Sequence, residues 1–196
     1  MPTDEAATPL PPDDTPTAAR SAPREDGRAE AAAVPVIHAV TTDEIAGSSD
    51  FLERARGVMR ALGARGALHL RAPSLSGRAL HALAASLAGD ARATRCALVI
   101  NDRLDVALAA DADGVQLTSR SLTAGDARLA LRSTRRGTRP LRVGASVHEA
   151  GEARAAAAAG ADWLVAGHVF ATASHLGAPA RGLAFLRAVA ADVPAC

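Results

Sequence analysis

Hydrophobic and polar positions change rhythm near residue 34. Upstream, residues 1–33 are rich in Pro, Ala, Asp, Thr and Arg, and neither a helical nor a strand period runs through them. Such a segment cannot bury enough apolar surface to order itself, so a disordered extension is predicted over 1–33. Downstream, six short apolar runs recur: "VPVIHAV" (34–40), "ALHLRA" (67–72), "ALVIND" (97–102), "GVQL" (114–117), "LRVGASV" (141–147) and "DWLVAGHVF" (162–170). Near-continuous apolar runs of this length predict parallel strands buried on both faces. Helical stretches lie between them at 50–64, 76–89, 103–111, 123–133 and 149–160, and a sixth at 182–192 follows the last run. Strict strand and helix alternation implies right-handed crossovers and one parallel sheet.

An internal repeat narrows the architecture. "ALGARGALHL" (61–70), "LAADADGVQL" (108–117) and "AAAGADWLVAG" (158–167) each end a helix in small residues, turn through Gly or Asp, and enter an apolar strand. Near-copies of this kind suggest stacked βα units of a (β/α)8 TIM barrel. A doubly wound open sheet is the other architecture with this alternation, but no strand is followed by a dinucleotide glycine fingerprint or a P-loop. Six units are visible, so the expectation is a barrel domain over 34–196 that lacks its last two βα units. Two open strand edges would then invite pairing, which makes a homo-oligomer conceivable.

Composition removes several function classes. Arg supplies all 22 basic residues against 21 acidic ones, for a formal charge of +1, so no electrostatic case for nucleic acid or a membrane surface arises. Aromatic residues make up 2% of the chain, too few for a base-stacking surface. No apolar run approaches the length of a membrane span, and the first residues lack a secretory pattern; a cytoplasmic address is the expectation. Cys96 opens an apolar strand and reads as a buried, inert thiol.

In a barrel, chemistry sits at the C-terminal ends of the strands. Those positions hold Thr41, Thr42 and Asp43; His69 and Arg71; Asn101 and Asp102; Gln116, Thr118 and Ser119; Ser146 and His148; and His168, Thr172, Ser174 and His175. His148, at the junction of the fifth strand and the following helix, reads either as a proton carrier or as part of the helix cap. Arg71 reads as a fork for phosphate or as a rim salt bridge. His69 is either a packed core imidazole or a ligand contact.

The segments "HAVTTD", "LHLRAPSLS", "LVINDRLDVALAADADGVQL" and "VGASVHEAGEARAAAAAGADWLVAGHVFATASHLGAPARGL", in this order, resemble the thiamine phosphate synthase and TenI superfamily of (β/α)8 barrels. The resemblance runs from about Ile37 to Leu186. It implies a thiamine-biosynthesis protein with a small phosphorylated thiazole as ligand. Two activities live in that superfamily. The synthase couples a pyrimidine pyrophosphate to a thiazole phosphate with Mg²⁺, and the resemblance would give Asp102 to the metal. The second metal carboxylate of the family falls on Ser121, its two lysines on Pro73 and His175, and its strand-two glutamine on His69. These departures, with "GHVF" after the sixth strand, bring the chain nearer the TenI branch, the thiazole tautomerases. That branch shifts a proton within a thiazole carboxylate phosphate without a metal. The expectation is therefore an isomerase with no cofactor, His148 as the catalytic group, and Arg71, His69, Asn101, Gln116, Ser146, His168, Thr172, Ser174 and His175 around the substrate. The alternatives are the Mg²⁺-dependent synthase, with Asp102 as metal ligand, and a non-catalytic paralogue.

Overall fold

The computed structural model describes residues 35–134, 140–172 and 179–192. The expectation for 1–33 and the site residues Ser174 and His175 lie outside the described residues.

Six strands form one parallel sheet in chain order: β1 (Ile37–Val40), β2 (Gly66–Leu70), β3 (Ala97–Asn101), β4 (Gly114–Leu117), β5 (Arg142–Val147) and β6 (Trp163–Ala166). Every neighbouring pair is parallel, with Val40 opposite His69, Asn101 opposite Gln116, and Gly144 opposite Trp163. The sheet curls into a half-barrel, so that an indole on β6 reaches a side chain on β4. Helices alternate with the strands: α1 (Asp43–Ala46), α2 (Phe51–Leu62), α3 (Gly77–Thr94), α4 (Leu104–Ala109), α5 (Ala124–Arg132), α6 (Ala150–Ala158) and α7 (Gly182–Asp192).

The alternation of side chains along each strand divides the sheet into two faces. Leu68, Leu70, Leu98, Ile100, Val115, Leu117 and Val143 point outward and form one cluster with helix residues including Phe51, Met59, Leu80, Leu87 and Val106. Leu70, Leu98, Ile100, Val115 and Val143 are fully buried there, each contributing about 1.5–3 kcal/mol of hydrophobic stabilisation. The opposite parity, including His69, Asn101, Gln116, Ser146 and Trp163, lines the concave inner face. The fold thus separates a dry aliphatic layer from a polar interior.

Two element boundaries differ from the sequence pattern. Helix α3 runs through Gly89 to Thr94, where the pattern stops at Gly89. Gly89 lies on the solvent side with open space around it, while Leu87, Ala88 and Ala91 are buried. Continued burial outweighs the roughly 1 kcal/mol cost of a mid-helix glycine, and Arg95 in the left-handed region ends the helix instead. The short helix α1, absent from the pattern, is capped by the Thr42 hydroxyl, which accepts from the Ile45 N–H at 3.2 Å. Among the described residues no helix is long and apolar enough to cross a membrane.

Candidate active site

The C-terminal ends of the strands place the candidate groups on one rim. After β3, Asp102 takes φ 60, a left-handed conformation that Asp tolerates better than most residues. Its Oδ1 accepts both the Thr118 N–H, at 2.9 Å, and the Thr118 hydroxyl, at 2.7 Å, while the Ser121 hydroxyl donates to its backbone carbonyl at 3.1 Å. The carboxylate is thereby engaged in tying the β3 end to the loop after β4. The position that the resemblance gives to the second magnesium carboxylate holds Ser121, a hydroxyl that donates to the Asp102 carbonyl. No group of three or more His, Cys, Asp or Glu able to hold a metal occurs among the described residues.

At the end of β5, His148 is partly exposed, and the N-cap of α6 is Glu149, whose side chain makes no capping bond. Capping instead comes from Glu152, which accepts the His148 backbone N–H at 2.6 Å. The same carboxylate oxygen stands 3.6 Å from His148 Nδ1, at ion-pair distance. The imidazole itself does not cap the helix; it is held beside a carboxylate. Ser146 lies two residues earlier on the same inward parity.

Across the interior a second set of contacts runs from β1 to β6. His69 is buried and its Nε2 lies 2.8 Å from His38 Nδ1. His38 Nε2 is 3.3 Å from the Pro35 carbonyl, which can only accept. That geometry makes His38 Nε2 the protonated nitrogen, so His38 Nδ1 accepts from His69 Nε2–H. Burial pushes the His69 imidazole down to about 4, the nearby His38 ring acts in the same sense, and Asn101 has a smaller opposing effect. His69 is therefore neutral at pH 7. Asn101 Oδ1 is buried with no hydrogen-bond partner at acceptable geometry. On the other side, Trp163 Nε1 donates to Gln116 Oε1 at 2.7 Å, and Gln116 Nε2 donates to Ser146 Oγ at 3.0 Å.

The remaining candidates divide. Arg71 makes no salt bridge among the described residues, which leaves its guanidinium open to an anion; its charge contributes to holding the Asp43 carboxyl below the usual range, after two hydrogen bonds from Ser74. The Thr41 hydroxyl fixes the Arg71 backbone, accepting its N–H and donating to its carbonyl at 2.8 Å each. His168 Nε2 lies 3.1 Å from the Pro179 carbonyl, so this ring pins the segment that leads into α7. Thr172 is exposed beyond β6. Cys96 is buried and free, and burial pushes its thiol up, as an inert cysteine requires. A surface hollow of about 440 Å³ beside Arg128, Arg132 and Gly160 lies at the opposite ends of the strands; Arg128 there is committed to Asp162 and the Gly160 carbonyl.

Sequence reasoning missed His38 and Trp163. The signals were present: a lone tryptophan in an aromatic-poor chain, and glycines inside the runs "GVQL" and "LRVGASV". A strand glycine marks close approach of another group. A Cβ on Gly144 would overlap Trp163 Cε2, Nε1 and Cζ2, and one on Gly114 would come within 2.8 Å of Trp163 Cη2.

Comparison with known proteins gives concordant results. A family model described as thiamine monophosphate synthase (TMP-TENI) matches residues 37–196. A thiamine-phosphate synthase of Methanoregula boonei is 36% identical over 158 residues, covering 80% of this chain and 69% of the relative. One from Moorella thermoacetica is 36% identical over 159 residues, covering 80% and 71%. Among solved structures, thiamine phosphate pyrophosphorylase from Pyrococcus furiosus superposes with a TM-score of 0.65 at 30% identity, over 80% of this chain and 70% of that one.

Proposed function

Because the chain belongs to the thiamine monophosphate synthase family, we propose that it acts on a phosphorylated thiazole in thiamine biosynthesis, as a metal-independent thiazole tautomerase. The observation that carries the choice of reaction is the state of Asp102. Its Oδ1 is occupied by Thr118, and the position that the family resemblance gives to the second magnesium carboxylate holds Ser121. One half-engaged carboxylate is a poor holder of Mg²⁺ against water. A proton shift needs only a base that can return what it takes, and an anion site for carboxylate and phosphate.

His148 supplies the base in this reading. With Nδ1 turned toward Glu152, the other ring nitrogen removes a proton from the thiazole ring carbon, the double bond moves, and the same nitrogen returns the proton to the new position. Substrate and product have the same atoms. Glu152 stabilises the imidazolium midway, as a carboxylate beside a catalytic imidazole does elsewhere. Arg71 is the candidate anchor for the anionic group.

The names of the relatives favour a second reading, the coupling of a pyrimidine pyrophosphate to a thiazole phosphate; on the comparisons alone it is the better supported of the two. The residues of this chain are what favour proton transfer. Two parallel incubations test the choice: thiazole carboxylate phosphate alone, and thiazole phosphate with hydroxymethylpyrimidine pyrophosphate and Mg²⁺. Isomer in the first with no thiamine phosphate in the second is expected; the reverse overturns the proposal.

A further inference from the structure

The contacts between Trp163, Gln116 and Ser146 have a direction. An indole N–H can only donate, so Trp163 fixes the Gln116 amide with its oxygen toward β6 and its nitrogen toward β5. Gln116 is buried, and its two bonds leave the amide no second orientation of equal energy. The Gln116 N–H then donates to Ser146 Oγ. A serine hydroxyl that accepts in this way has its own proton free, and no described residue accepts it.

We propose that Trp163 is a positioning residue: through Gln116 it sets the polarity of Ser146, which the resemblance already places at the substrate, so that this hydroxyl can only donate to an anionic oxygen of the ligand. The inference rests on the reading that a phosphorylated thiazole occupies the strand-end rim. It deepens that reading, because it assigns the direction of one ligand bond and extends the site to a residue two contacts away. The inner face reserves space for the device: Gly144 and Gly114 are where the indole lies against the sheet. The Arg142 guanidinium also lies over the Trp163 ring, 5.6 Å from its centroid.

A hydrogen bond to a charged acceptor is worth about tenfold or more in affinity. Ser146→Ala should therefore weaken binding of thiazole phosphate, measured by titration calorimetry, about tenfold. Trp163→Phe keeps a ring but removes the N–H, frees the amide to flip, and should weaken binding about threefold. The two losses should not add: in the Ser146→Ala background, Trp163→Phe changes affinity by less than about 1.5-fold, since it has nothing left to orient. Gln116→Met enters the same cycle if Trp163→Phe does not fold. A merely structural role would weaken binding by the same factor in both backgrounds, and that result overturns the proposal. A second arm needs no ligand. The single indole N–H should exchange slowly with deuterated solvent in the unsubstituted protein and faster in Gln116→Met; equal exchange in the two overturns the relay whatever binds. Slow exchange as expected, with no binding of thiazole phosphate to the unsubstituted protein, overturns instead the ligand reading and the donor role built on it.

Discussion

Gly144 offers the sharpest test of how the interior is packed. Replacing glycine by alanine inside a strand is ordinarily stabilising, by roughly 0.5–1 kcal/mol, because it lowers the entropy of the unfolded chain. Here the added methyl would overlap the pyrrole side of the Trp163 indole, which is fixed at 2.7 Å to Gln116 and cannot swing aside as a flexible chain end could. Overpacking of this kind costs about 1–3 kcal/mol. Displacing the ring also strips a buried Gln116 oxygen of its donor, at about 1–3 kcal/mol. After the entropic gain, Gly144→Ala should destabilise by about 2–4 kcal/mol, a large share of the stability of an ordinary domain. Urea unfolding followed by the emission of the chain's one tryptophan reads both the midpoint and the displaced ring. In a Trp163→Ala background, where unfolding is followed by far-ultraviolet circular dichroism instead, the same change should be neutral or stabilising. An unchanged midpoint and emission in Gly144→Ala, or the same loss in both backgrounds, would refute the packing argument.

Three further outcomes follow from the site. The unfolded chain binds a proton at His69 near 6.5 and the folded one only near 4, so stability should fall as pH drops from about 6.5 to 4, by up to about 3 kcal/mol, and level off below; thermal melts of His69→Gln across that window should show a flatter profile, and an identical slope would contradict the assignment. Asp102→Ala, which removes the acceptor of two Thr118 bonds at a left-handed position, should cost about 2–3 kcal/mol in urea unfolding, whereas Asp102→Asn, which keeps an acceptor oxygen, should cost under about 1 kcal/mol and keep turnover; loss of turnover in the Asn variant would count for a metal role. Ser121→Asp should create Mg²⁺ binding detectable by calorimetry, and strong Mg²⁺ binding by the unsubstituted chain would contradict the reading of that loop.

Much of this arrangement was legible in the residues. The apolar runs marked all six strands, β2 to β5 because they are largely buried, β1 and β6 even though these edge strands are partly exposed, and the Gly or Asp turns before strands two, four and six identified the repeat. Strand-end position alone brought Asp102, Gln116, Ser146 and His148 to one rim. What escaped was pairing. His38 lies in an apolar run like any core residue, and only the register of β1 on β2 brings it to His69. Trp163 sits at the start of its strand, and only the curl of the sheet lets it reach Gln116. Of the two readings open for His148, the cap goes to another group: the carboxylate that satisfies the His148 N–H comes from a turn later, at Glu152.

The central claim is that this family member moves a proton at His148 and does so without a metal. Its most direct test is to follow thiazole carboxylate phosphate by NMR in the presence of a strong chelator, with the unsubstituted chain and with His148→Asn. Conversion to the aromatic isomer at a rate the chelator does not change, falling roughly a hundredfold or more in the Asn variant, is the predicted result. Absence of isomerisation, together with formation of thiamine phosphate from the two coupling substrates only when Mg²⁺ is present, would contradict it.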